Sequence, residues 1–373
     1  MRNINIRDDL AIINFKGKYY EVNGITKDLI EYYQEGKTVE EISKIMNLET
    51  SEVIEYYNEI SDSLKLKEFS SIETFNAPLS CQWKITNTCN LKCKHCYIGD
   101  KVSDALDMNQ RFRIADAIIN SSILSVTISG GEALLVPEIA KICDRLMENG
   151  IKVKIFTNGY FLDEFIRSIN PNFYQLLTIC TSVDGLKDTH DDIRGIGSFD
   201  RVIRGINECV KNKIKVITNT VVHNKNKNDL VPLFDTLHRI GVAEIQASKL
   251  ISLGYAKDND LKAISEDEYK QICGDFQKLK FRIRYSDYSG HFLIKNDNET
   301  NETIDWKCCA GVSKFTILEN GDIVLCPFIP NMKIGNVLDE SIQSIWQSEK
   351  RIDIKKHINM LNNNYSACFV LRV

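Results

Sequence analysis

The chain has no run of eighteen consecutive apolar residues, so it contains no candidate transmembrane helix and a membrane is not an expected partner. Its first residues, Met1 to Asp9, are polar and charged and lack the apolar stretch and small-residue cleavage site of a secretory signal, so a cytoplasmic location is expected. No block of like charge occurs either. Forty-seven Lys and Arg against 51 Asp and Glu leave a formal net charge of −4. That balance offers no general field for a phosphate backbone, and nucleic acid is not an expected partner. Without an export signal a disulfide framework is also unexpected, so the 12 cysteines read as reduced thiols, metal ligands or catalytic groups.

What is present is enough chain, 373 residues with 43% hydrophobic composition, for two or three domains and a substantial core. Cys143, Cys180, Cys209 and Cys273 stand singly in apolar stretches and read as small buried hydrophobes. The informative cysteines are the close group Cys89, Cys93 and Cys96, with Cys81 upstream, and the looser set Cys308, Cys309, Cys326 and Cys368.

Residues 1–72 read as two short strands, Leu10–Phe15 and Tyr19–Val22, then helices near Thr26–Tyr33, Val39–Met46 and Ser51–Ser63, then a third strand at Leu64–Phe69. That order suggests a small winged-helix domain, followed by a linker at 73–80. With 9 Lys and Arg against 14 Asp and Glu, it makes a poor DNA reader; its other use is to offer a strand edge to an extended peptide. Residues 81–280 alternate strand patterns (Trp83–Thr86, Ser125–Ser129, Lys152–Thr157, Leu177–Ser182, Lys215–Val221, Ala243–Ala247) with helical ones such as Val136–Glu148, Phe199–Lys211 and Asp229–Ile240. The expected fold is α/β, a partial (β/α)6 barrel with its chemistry at the carboxyl ends of the strands. Residues 281–373 break this rhythm and read as a separate cysteine-bearing domain.

After the first barrel strand, Thr86-Asn87-Thr88-Cys89-Asn90-Leu91-Lys92-Cys93-Lys94-His95-Cys96-Tyr97 spaces its thiols Cys-x3-Cys-x2-Cys. Three thiolates from one loop suit a [4Fe–4S] cube with one iron left open. Zinc is the alternative and needs a fourth ligand, for which His95 or Cys81 would have to serve. The loop resembles that of the radical S-adenosylmethionine (SAM) superfamily, including the aromatic Tyr97. Ser129-Gly130-Gly131-Glu132 resembles the family's Gly-Gly-Glu segment, which holds the methionine amino group of SAM. Asn158, Ser182 and Asp184 follow at the ends of later strands, and Arg194 is a candidate partner for the SAM carboxylate. The resemblance implies a [4Fe–4S] cluster, SAM as cofactor, reductive cleavage to a 5′-deoxyadenosyl radical, and an external one-electron donor such as flavodoxin or ferredoxin.

The tail, Cys308-Cys309-Ala310-Gly311, then Gly321-x4-Cys326-Pro327 and Gly335-Asn336-Val337, resembles a truncated SPASM/Twitch domain. It leaves room for one auxiliary cluster, held by Cys308 or Cys309 with Cys326 and Cys368; a cluster-free remnant is the alternative. The N-terminal domain resembles the PqqD-like recognition element that binds the leader of a ribosomally made precursor peptide (a RiPP). Together these resemblances imply a peptide-modifying oxidoreductase, with a thioether or other crosslink as first choice of product. A maturase of a protein substrate similar to anaerobic sulfatase-maturing enzymes, a peptide epimerase, and a non-catalytic partner that delivers peptide are the other readings.

Overall fold

The computed structural model describes residues 2–7, 10–15, 18–23, 28–29, 32, 37–56, 58, 78–99, 106–121, 123–250, 254–257, 260–286, 292–295, 301–304 and 310–363. Near the N-terminus β1 (Arg2–Arg7), β2 (Leu10–Phe15) and β3 (Lys18–Asn23) form a three-stranded antiparallel sheet in that order. β1 was not anticipated from the sequence: only Ile4 and Ile6 are apolar in it, and backbone pairing to β2, rather than a strong apolar pattern, defines it. Helix α1 (Val39–Met46) follows, its start fixed by a reciprocal cap in which Thr38 and Glu41 satisfy each other's backbone N–H. Residues 59–77, including the expected strand Leu64–Phe69 and most of the expected linker, lie outside the described residues.

The central element is a parallel sheet whose strands run in sequence order. They are β4 (Ser80–Thr86), β5 (Ser125–Gly130), β6 (Lys152–Thr157), β7 (Leu177–Ser182), β8 (Lys215–Val222) and β9 (Glu244–Lys249). The helices between them are α2 (Met108–Ile119), α3 (Ile139–Glu148), α4 (Leu162–Ser168), α5 (Lys187–Arg194), α6 (Ser198–Lys211) and α7 (Leu230–Ile240), with α8 (Glu266–Lys278) after β9. Alternation decides which face meets the helices: Cys81, Trp83 and Ile85 of β4 and Val126 and Ile128 of β5 are fully buried in the core, while Gln82, Lys84, Thr127 and Ser129 point to the opposite, inner face. The fold is thus the α/β partial barrel expected.

The sheet does not stop near residue 280. Strand β10 (Ile283–Ser286) pairs parallel with β9, and the hairpin of β11 (Phe292–Lys295) and β12 (Asn301–Ile304) extends that edge. At the other edge β13 (Lys314–Ile317) pairs parallel with β4, and β14 (Asp322–Val324) and β15 (Lys333–Asn336) add antiparallel strands. Residues from the tail therefore continue the barrel sheet at both edges. The described residues end in α9 (Ile342–Gln347) and α10 (Glu349–Asn363), with Trp346 buried against Phe315 of β13. Among the described residues no helix is long and apolar enough to cross a membrane.

Candidate functional site

The cysteine loop leaves β4 at Thr86 and is tied at once to the end of β5. Gly131 N–H donates to the Thr86 carbonyl at 2.9 Å and Glu132 N–H to the Thr88 carbonyl at 2.8 Å. The loop passes so close that a Cβ on Gly130, whose φ is +152°, would lie 2.2 Å from the Thr86 oxygen, and one on Gly131 would lie 2.3 Å from the Thr88 oxygen. The Gly-Gly pair is required by the cysteine loop itself. The far end of the loop is held by Lys94 N–H to the Ile193 carbonyl and Tyr255 N–H to the Cys96 carbonyl, both at 2.9 Å. Gly254, φ +56°, allows this second contact, since a Cβ there would sit 2.4 Å from the Cys96 oxygen.

The three thiols sit in a common electrostatic setting. Cys93 is buried, and Cys89 and Cys96 are partly so. Burial pushes the Cys93 thiol up; Arg194 opposes this, while Asp184 and then the other two thiols add to it. Nitrogen donors approach the sulfurs: Leu91 N–H lies 3.5 Å and Asn158 Nδ2 3.8 Å from Cys89 Sγ, and Arg194 Nη1 lies 3.8 Å from Cys93 Sγ. Such donors stabilise thiolate and help set the potential of a bound cluster. The residues offered as a fourth zinc ligand are engaged elsewhere: Cys81 faces the core on β4, its thiol pushed up to about 12 by burial, and His95 Nε2 bonds Asp184. Among the described residues no three Cys, His, Asp or Glu side chains converge as the ligands of a single ion do. By donor chemistry, three thiols with N–H donors nearby suit a [4Fe–4S] cluster bound through three cysteines.

Two buried carboxylates flank the loop. Glu132 accepts from Leu134 N–H and Thr157 Oγ1 at Oε1, 2.9 and 2.7 Å, and from Asn158 N–H at Oε2, 2.7 Å. Burial pushes its acid up, and the hydrogen bonds only partly oppose that. Asn158 in turn donates to Asn90 Oδ1 at 2.9 Å, so β6 reaches the cysteine loop through a side-chain amide. On the other flank Asp184 Oδ2 accepts from His95 Nε2 at 2.6 Å and Arg194 Nε at 2.5 Å, while Oδ1 accepts from Val221 N–H at 2.9 Å. Burial alone would raise this acid, but Arg194 and then His95 outweigh it and hold Asp184 well below the usual carboxylate range. His190, 0% exposed and pushed to about 4 by burial, accepts from Asp184 N–H.

Gly130, Gly131, Glu132, Asn158 and Asp184 lie around the cysteine loop at the carboxyl ends of β5, β6 and β7, and Arg194 reaches it from the end of α5. Ser182 ends β7 in register with Asn219, and Ser129 Oγ accepts from Gln82 Nε2 at 3.0 Å. Tyr97 is 46% exposed and its ring packs on Phe328, with centroids 5.5 Å apart, just past the half-buried Cys326. Cys308, Cys309 and Cys368 lie outside the described residues. Asn90, Asn226, which donates to the Asp184 carbonyl at 2.8 Å, and Gly254 were missed. An isolated Asn or Gly carries no signal when its partner is distant in sequence.

Comparison with known proteins agrees with this geometry. Residues 83–237 match the radical SAM superfamily, and residues 308–369 match SPASM, an iron-sulfur cluster-binding domain. The AdoMet-dependent heme synthase of Methanosarcina barkeri is 25% identical over 296 residues, 73% of this chain and 83% of that protein. The sporulation killing factor maturation protein SkfB of Bacillus subtilis is 24% identical over 285 residues, 74% and 67% respectively. The structure of Streptococcus suis SuiB bound to its precursor peptide SuiA covers 100% of this chain and 94% of SuiB with a TM-score of 0.63 at 16% identity.

Proposed function

Because the chain carries a radical SAM domain followed by a SPASM domain, and is an enzyme that uses a [4Fe–4S] cluster and SAM, we propose that it modifies a ribosomally synthesised precursor peptide, with a thioether or other crosslink as product. The observation that carries the site is the three-thiol loop clamped between the ends of β5 and β7. Cys89, Cys93 and Cys96 would hold the cluster, which when bound would supply one electron for reductive cleavage of SAM.

The chain's own residues shape the place where this happens. Leu91 N–H, Asn158 and Arg194 direct donors at the thiol sulfurs. Tyr97, Ser129, Gly130, Gly131, Glu132, Asn158, Ser182, Asp184 and Arg194 are the proposed SAM-contacting set. A carboxylate has about four lone-pair sites, so Glu132, with three used, keeps capacity at Oε2 for an ammonium group. Cys326 with Cys308 or Cys309 and Cys368 is the proposed ligand set of one auxiliary cluster.

Residues 1–72 are the proposed leader-binding element, and a flavodoxin or ferredoxin the proposed electron donor. In the described sheet β1 and β3 are edge strands, the feature that strand addition by a peptide needs. Similarity to SkfB, a maturation protein, and the fold shared with SuiB support a peptide substrate. The test is co-expression with short peptides encoded beside the gene, read by mass spectrometry. Loss of two hydrogens is the expected result. An unchanged mass with deuterium taken up from solvent would replace crosslinking by epimerisation, and no change in any neighbouring peptide would contradict the reading.

A further inference from the structure

The inner face of the parallel sheet carries charges that the cysteine site does not use. In-register pairing sets Gln82, Thr127, Lys154 and Thr178 side by side across β4 to β7 on that face. One level nearer the carboxyl ends, Phe156, Cys180, Ile217 and Glu244 line up across β6 to β9. On β13, Lys314 pairs with Ser80 and so shares the side of Gln82. Two carboxylates reach these cations and are already matched: Glu319 with Lys84 at 3.2 Å, and Glu244 with Arg282 and Arg284 at 3.0 and 3.3 Å. The ammonium groups of Lys154 and Lys314 have no ion pair or hydrogen bond among the described residues. In a chain of net charge −4, this interior is locally basic.

We infer that Lys154, with the flanking Thr127 and Thr178 hydroxyls, binds a carboxylate of the peptide substrate, so that the segment entering the barrel carries an acidic residue. This rests on the peptide-modifying reading and adds the substrate's chemistry to it. A half-buried cation with no ion-pair partner among the described residues bears a desolvation cost that an arriving carboxylate offsets. Burial lowers the Lys154 ammonium below the ordinary lysine range; Cys180 and Glu244 oppose this, while like charge from Arg284 and Lys314 adds to it. Phe156, 41% exposed on the same face, supplies an apolar wall for the rest of the residue. SAM also carries a carboxylate. Lys154, however, stands three residues from Thr157, about 10 Å of strand, below the end of β6 that meets the cysteine loop, and this favours the peptide as its source.

The test uses the full chain, reconstituted anaerobically with iron and sulfide. Ligand-observed NMR measures binding of two blocked tripeptides, acetyl-Gly-Glu-Gly-amide and acetyl-Gly-Gln-Gly-amide, and a separate titration measures SAM. The Glu peptide is expected to bind at least about tenfold more tightly, with the preference lost in Lys154→Met and kept in Lys154→Arg, and SAM affinity equal in all three proteins. Equal binding of the two peptides to the unsubstituted protein overturns the inference without recourse to any variant. So does a preference that survives Lys154→Met, or a fall in SAM affinity in that variant with cluster absorbance unchanged, which assigns the lysine to SAM. Modification of a neighbouring precursor, measured on the same preparation, tests the underlying reading. Equal tripeptide binding beside intact modification sinks the acid-anchoring inference alone.

Discussion

The cysteine loop is held on one flank by Glu132 and on the other by Asp184, and the two buried carboxylates are stabilised in opposite ways. Glu132 is surrounded by neutral donors from β6 and the turn after β5, and burial leaves its acid raised. Asp184 faces a guanidinium and an imidazole and is held ionised. The difference shows what each flank does. On the Glu132 side, neutral hydrogen bonds set the position of backbone at the ends of β5 and β6. On the Asp184 side, the carboxylate locks His95, within the cysteine loop, and Arg194, which reaches a thiol.

The largest expected effect comes from removing what both flanks serve. Cys93→Ala should abolish the barrel cluster's absorbance and all SAM cleavage, read by ultraviolet-visible spectra and 5′-deoxyadenosine yield after reconstitution. Asp184→Ala comes next. It leaves Arg194 buried and uncompensated, and should cost about 3–5 kcal/mol in denaturant unfolding. The same pair gives a pH signature with a defined sign. An acid held below its unfolded value contributes stability above the ordinary carboxylate range and loses it as pH falls. Asp184→Asn should therefore flatten the acid limb of the stability curve. Glu132, whose acid is raised, has the opposite slope: its contribution weakens as pH rises beyond the usual carboxylate value.

Glu132→Gln sharpens the comparison at lower cost. The amide can present only one acceptor oxygen to three donors, so a loss of about 1–3 kcal/mol is expected, without the charge-dependent slope of Asp184. Gly131→Ala tests the close approach of the loop, where the new Cβ meets the Thr88 carbonyl; about 1–3 kcal/mol of overpacking and weaker cluster retention are expected. The smallest effect is reserved for the loop's solvent side. Lys94 pairs with Asp192 at 2.5 Å, but the side chains are 34% and 50% exposed, so Lys94→Ala should change stability by less than about 1 kcal/mol.

The parallel strands were legible because alternating buried positions such as Trp83, Ile85, Val126 and Ile128 leave a strong pattern between helical segments. β1 was not, since its order comes from pairing with β2 rather than from apolar content. Continuation of the sheet into β10 and β13 was also hidden, because both join distant strands by backbone register. At the site, the thiol spacing and Gly130–Gly131 were readable. The resemblance gave the glycines a place in the SAM site; the structure adds that the backbone of Thr86 and Thr88 leaves no room for a Cβ at either position. The sequence offered His95 only as the fourth ligand that zinc would need; its bond to Asp184 was hidden, because Asp184 arrives from the end of β7.

The most direct measurement of the central claim is electron paramagnetic resonance of the reconstituted, reduced, oxygen-free chain with and without SAM. The account predicts a [4Fe–4S] signal that changes when SAM is added and disappears in Cys93→Ala. Zinc in place of iron at the three-thiol loop, or a cluster signal indifferent to SAM, would contradict it.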